Sequence, residues 1–223
     1  MRRKLVAEAL GTALLLYVVV GSGIVAQQLV GDPGVGLLAH ALAVGLGLGV
    51  LVAMLQAVSG AHFNPSVTLA FWRLRAIGRS QAAGFAAAQV AGGIVGVALA
   101  NWSFGEAPIA LSSSERDGAG LLVAEAIATF VLVLVIVALV RTGRSQSVPA
   151  AVGAWVAAAI FATSSTGFAN PAVTLARAFT DTFTGIAPGS VPAFIAAQLL
   201  AGLLAALAAL AIYPNRAAEP ATV

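Results

Sequence analysis

Asn64-Pro65-Ser66-Val67-Thr68-Leu69-Ala70 is answered 106 residues later by Asn170-Pro171-Ala172-Val173-Thr174-Leu175-Ala176, with six of the seven positions identical. Each copy offers an asparagine as helix N-cap and a proline at the first helical position, where its missing N–H costs nothing. Each is followed by about eight or nine helical residues before breakers: Arg73, Arg75 and Gly78 in one case, Asp181 and Gly185 in the other. Such a helix is about 12 Å long, less than half the roughly 30 Å of bilayer hydrocarbon. Neither copy spans a membrane alone. Two copies entering from opposite faces and meeting N-terminus to N-terminus would span it together.

The surrounding composition is that of an integral membrane protein. Of 223 residues, 60% are hydrophobic and 9% charged, and the mean hydropathy is +1.00. The net charge is only +3, so the chain carries no nucleic-acid footprint. There are no cysteines and only two histidines, His40 and His62. Disulfides, thiolate metal sites and histidine clusters are therefore not expected, and neither a metal nor a cofactor is implied. The apolar segment after Arg2-Arg3-Lys4 is too long for a cleaved signal and reads as a retained helix.

Six stretches are long and apolar enough to span: near 5–28, 36–57, 82–101, 119–140, 148–165 and 192–212. With the N-terminus inside, the cytoplasmic loops collect Arg2, Arg3, Lys4, Arg73, Arg75, Arg79, Arg141, Arg144 and Arg216, nine of the eleven cations. That bias predicts an even number of spans with both termini cytoplasmic. The halves echo each other beyond the Asn-Pro motif. Val6-Ala7-Glu8-Ala9 pairs with Val123-Ala124-Glu125-Ala126, and Ala87-Ala88-Gln89 with Ala196-Ala197-Gln198. Three spans per half require the second copy to be inserted upside down. The expectation is one membrane domain over residues 1–223, made of two inverted repeats of about 1–110 and 117–215. Its class is all-α: six transmembrane helices plus two re-entrant half-helices. Interrupted helices in corresponding places point to a solute path at the midplane.

Asn64 and Asn170 would carry that path, with Pro65, Ser66, Pro171 and Ala172 completing the central constriction. Facing positive helix ends repel cations and reorient a passing hydroxyl. Glu8 and Glu125 lie inside spans, where a carboxylate must be compensated. They serve either as proton relays or as acceptors for the loops before the half-helices, and the second reading is preferred. Gln89 and Gln198 are expected to support the same loops. His62 either gates or braces a loop, and His40 gives weaker support for gating.

These residues resemble the aquaporin and glycerol-facilitator family. The duplicated Asn-Pro signature, the helix-one glutamate, His62-Phe63-Asn64-Pro65 and the charge pattern together cover nearly the whole chain. The resemblance implies a right-handed bundle, a passive pore in each subunit, a homotetramer in the cell membrane, and small neutral solutes as partners. It also implies an outer filter of four residues. Gapless counting from the Asn-Pro motifs carries them onto Val44, Ala158, Gly167 and Val173, none of them aromatic. Val173 stands where the family has arginine. This resembles the bacterial members associated with arsenic resistance, which implies metalloid hydroxides such as arsenite or methylarsenicals beside glycerol-like polyols and water. A glycerol facilitator or plain water channel is the nearest alternative, and a proton-coupled carrier is the alternative of another class. An enzyme is not expected. Arg177 lies four residues beyond Val173. It either projects back into the vestibule, or pairs with Asp181 or the 106–117 loop.

Overall fold

The computed structural model describes residues 1–213, and Arg216 lies outside them. Eight α-helices are described: α1 Arg2–Leu29, α2 Pro33–Ser59, α3 Pro65–Arg73, α4 Arg79–Ser103, α5 Ala119–Arg141, α6 Val148–Ala162, α7 Pro171–Ala176 and α8 Val191–Ile212. Six of them, counting the 3-10 turn Ser145–Ser147 with α6, are long and apolar enough to cross a membrane. Their outward faces are apolar rows four residues apart, as in Leu38, Leu42, Leu46, Val50 and Met54 of α2. Those rows suit lipid.

Local chemistry starts and stops the helices where the sequence indicates. The Asp32 side chain accepts from the N–H groups of Gly34 and Val35, with Pro33 at the first helical position of α2. Asn64 Oδ1 accepts from Ser66 N–H at 2.8 Å to cap α3. Asn170 Oδ1 accepts from Ala172 and Val173 at 2.9 and 3.2 Å to cap α7. Two lengths differ from expectation. The second half-helix has six α-helical residues and is then tightened into the 3-10 turn Arg177–Phe179. The fifth span stops at Ala162 rather than 165. There Thr163 Oγ1 donates back to the Ala159 carbonyl at 2.7 Å, and Ser165 Oγ accepts from Gly167 N–H. These local side-chain bonds compete with the helix ladder and release the chain into a loop.

The two halves pack alike and then interlock. Helix α1 lies on α4 and α5 lies on α8, while α2 and α6 form a seam between the halves. Each half-helix reaches across to the other half: α3 packs on α8, and α7 on α4. Glycines permit the closest crossings. A Cβ at Gly92 or Gly96 of α4 would overlap the carbonyl oxygen of Ala9 or Ala13 in α1. At the α2–α6 seam, a Cβ on Gly45 would come within 2.5 Å of the Gly153 carbonyl oxygen. Small residues let helices approach closely in lipid, where van der Waals packing replaces the hydrophobic drive.

Candidate functional site

The site is built from two loops that precede the half-helices. Both hold non-glycine residues at positive φ: Ala61 and Phe63 in the first, Thr166 and Ala169 in the second. Such backbone costs of order 1–3 kcal/mol per residue and persists only where its surroundings hold it. Two buried carboxylates do the holding. Glu8 accepts from Ser59 Oγ (2.6 Å), His62 N–H (3.0 Å), Phe63 N–H (2.8 Å) and Gln89 Nε2 (2.7 Å). Glu125 accepts from Phe168 N–H and Ala169 N–H, both at 2.9 Å, and from Gln198 Nε2 at 2.5 Å. Gln89 and Gln198 also reach Thr68 and Thr174 of the half-helices. Neither carboxylate borders the central cavity.

The half-helices meet head to head through reciprocal bonds. Asn64 Nδ2 donates to the Ala169 carbonyl at 2.7 Å, and Asn170 Nδ2 donates to the Phe63 carbonyl at 2.8 Å. An amide nitrogen has two N–H groups, so each asparagine keeps one for the cavity it lines. Pro65, Ser66, Pro171 and Ala172 do not line it. Ser66 packs on Gly202 of α8, and the Ala172 carbonyl lies behind, toward Gly93 of α4.

The cavity has a volume of about 400 Å³. One wall is aliphatic, from Leu15, Val19, Val44, Leu48, Leu132, Val152 and Val156 among others. The two loops with Asn64 and Asn170 also line the cavity. Gln56 and Ser145 stand at the end where α2 finishes and α6 begins. His40 and Arg177 stand at the other, where α2 begins and α7 gives way to its 3-10 turn. His62 also borders it, with Nδ1 at 3.1 Å from Thr68 Oγ1 and its ring against Phe71 and Phe85.

Of the expected outer quartet, Val44, Gly167 and Val173 border the cavity. Ala158 does not: it is exposed on the outside of α6. The inward face of α6 is the row Val148, Val152, Val156 and Ile160. Ala158 is two residues from both Val156 and Ile160, which turns it by about 200° to the opposite side. The count also missed an aromatic. Phe168, adjacent to Gly167, is buried and lines the cavity. Its signal was the neighbouring position in the same loop, one step beyond the counted residue.

Arg177 is 4% exposed and borders the cavity, and its Cζ lies 3.4 Å from the Phe168 ring centroid. Its Nε donates to the Thr184 carbonyl. Among the described residues its side chain makes no hydrogen bond or ion pair to Asp181 or to the 106–117 loop, although Arg116 of that loop lies over the same Phe168 ring, 5.0 Å from its centroid. Asp181 instead accepts from the N–H and Oγ of Ser113, both at 2.9 Å. Those two bonds, the backbone one first, hold the exposed Asp181 carboxyl below its ordinary range. Asp181 and Ser113 belong to a second, polar recess with Gln27, Gln28 and Glu106 on the same side of the molecule.

Comparison with known proteins agrees with this architecture. The family described as "MIP: Major intrinsic protein" matches residues 1–169. The chain belongs to the major intrinsic protein family. It is 48% identical to aquaglyceroporin AqpS of Rhizobium meliloti (strain 1021) over 184 residues, 82% of this chain and 78% of that protein. It is 34% identical to aquaporin-8 of Rattus norvegicus over 139 residues, 59% of this chain but only 51% of that longer protein. The solved structure of the aquaglyceroporin from Plasmodium falciparum superposes with a TM-score of 0.73 at 22% identity, covering 92% of this chain and 94% of that one. That likeness establishes the fold. As a major intrinsic protein, the chain is a multi-pass membrane channel and not an enzyme.

Proposed function

We propose that this major intrinsic protein passes small uncharged solutes down their gradients: water, glycerol-like polyols, and metalloid hydroxides such as arsenite or methylarsenicals. The observation that carries the proposal is the cavity of about 400 Å³, lined both by Asn64 and Asn170 and by aliphatic side chains. A lining that combines amide donors with aliphatic surface suits a molecule that carries both hydroxyls and carbon or a bare metalloid centre. The positive ends of α3 and α7 disfavour cations at the same level. Glu8 accepts four hydrogen bonds and Glu125 three, and both are set back from the cavity, which speaks against a proton-coupled carrier. Valine at position 173 supports the metalloid class through the family resemblance.

The decisive experiment is flux into proteoliposomes with a panel of water, glycerol, urea and arsenous acid, with and without a pH gradient. Gradient-independent, non-saturating flux is the expected result. Saturation, or uptake driven by the pH gradient, would instead establish the carrier.

The same proposal places the channel as a homotetramer in the cell membrane, with two inverted repeats and both termini cytoplasmic. Ser113 and Ser145 are exposed at opposite ends of the helices. Cysteines at these two positions are expected to react with an impermeant maleimide from outside and inside respectively. Labelling of both from one side would sink the topology.

A further inference from the structure

Two residues at the cavity's outer end have no part in the expected quartet. Arg177 stands four residues beyond Val173, about 6 Å further out. Two contacts fix its guanidinium: the Phe168 ring beneath it and the Thr184 carbonyl on Nε. They use one of five N–H donors. The terminal amino groups take no acceptor among the described residues, although the side chain is nine-tenths buried and borders the cavity.

His40 stands one turn outward from Val44 on α2 and borders the same end. Its Nδ1 is 2.8 Å from Ser22 Oγ. Ser22 already donates its only proton to the Val18 carbonyl at 2.6 Å. With the hydroxyl proton on Val18, the hydroxyl accepts from His40 in the tautomer protonated at Nδ1, and in that tautomer Nε2 is an open acceptor. Phe183 packs edge-on against this ring, one residue before the Thr184 that holds Arg177. One short segment thus positions both groups.

We propose that Arg177 and His40 are the outer specificity-determining pair of this channel. The guanidinium supplies the fixed positive charge and paired donors that position 173 lacks. The imidazole supplies an acceptor. Such a mouth favours a neutral solute whose hydroxyls both accept and donate, and it turns away inorganic cations and protons. The proposal rests on the channel reading above. Phe168, Thr184 and Ser22 act only by positioning the pair.

The test uses the full chain in proteoliposomes, with water, glycerol and urea flux by stopped-flow light scattering and proton leak by an entrapped pH dye. Arg177→Leu is expected to raise the leak per assembled channel by about tenfold or more, the loss of one charge-assisted contact. It should also shift the glycerol-to-water ratio. Arg177→Lys keeps the charge but not the fork, so the leak should stay low while the ratio moves. His40→Leu should lower glycerol flux relative to water with the leak unchanged. Wild-type leak and wild-type ratio in assembled Arg177→Leu channels would overturn the proposal. If that variant does not assemble, unchanged ratios in both Arg177→Lys and His40→Leu overturn it. Failure of the channel reading looks different: the wild type itself would show saturable or gradient-driven flux.

Discussion

Most Glu8→Gln protein is expected to fail to assemble, and the fraction that survives to melt well below the wild type. All four partners of the Glu8 carboxylate are donors: Ser59 Oγ, two backbone N–H groups and Gln89 Nε2. An amide offers one oxygen to this set and turns its NH₂ toward the rest. At least two bonds to a charged group are lost, each worth about 1.5–3 kcal/mol, and donors are left facing donors. A total of about 3–6 kcal/mol is a large part of the 5–15 kcal/mol that typically holds a protein folded. The loop cannot relax at little cost, because Ala61 and Phe63 are kept at positive φ by these same bonds. Size-exclusion profiles and thermal melts in detergent read the effect directly. Surviving channels should conduct passively and without pH dependence. A variant that melts like the wild type would remove Glu8 from its supporting role, and loss of pH-driven uptake alone would revive the carrier.

Val173→Arg is expected to reduce glycerol and metalloid flux about tenfold or more while reducing water flux much less, since it narrows the opening by a long side chain. Val173 is buried, borders the cavity as Gly167 does, and ends the inner, N-terminal half of α7. A guanidinium there would reach into the same space as Val44. It would also stand one turn from Arg177, which is already held by Phe168 and Thr184. Two like charges at that spacing repel, so part of the effect is expected as lowered stability, and flux is to be normalised to reconstituted protein. Stopped-flow measurements with water, glycerol and arsenous acid give the ratio. An equal proportional loss for all three would show that position 173 does not set the size limit.

The parts of this protein that were legible in its sequence are those governed by local physics. Asn64-Pro65 and Asn170-Pro171 cap helices because a short carbonyl side chain and a proline suit that position wherever they stand. Membrane spans follow from twenty or so apolar residues, since backbone polar groups in lipid must be satisfied within one helix. Glu8 and Glu125 announced themselves because a carboxylate in a span needs partners, and the loops before the half-helices carried the available N–H groups.

The outer end of the cavity was not legible in this way. Counting back from Asn170 assumed that α6 continues smoothly toward the motif. The chain instead leaves the helix at Thr163 and passes through Thr166, Gly167 and Ala169 at positive φ. Sequence distance across such a loop no longer fixes rotation about the helix axis. The rotation of α6 is set by its contact with α2 at Gly45 and Gly153, which turns Val156 and Ile160 inward and Ala158 outward. Arg177 shows the same limit for a single side chain. Its i,i+4 spacing to Asp181 suggested a pair, but the helix tightens at residue 177 and Ser113, from a distant loop, takes the carboxylate. By itself the sequence determined the spans, the half-helices and the asparagines at their tips, because each depends on neighbours along the chain. Only the tertiary structure decided which residues face the solute at the mouth, because that depends on helix rotation and on partners such as Thr184 and Phe168, which are brought to Arg177 by folding.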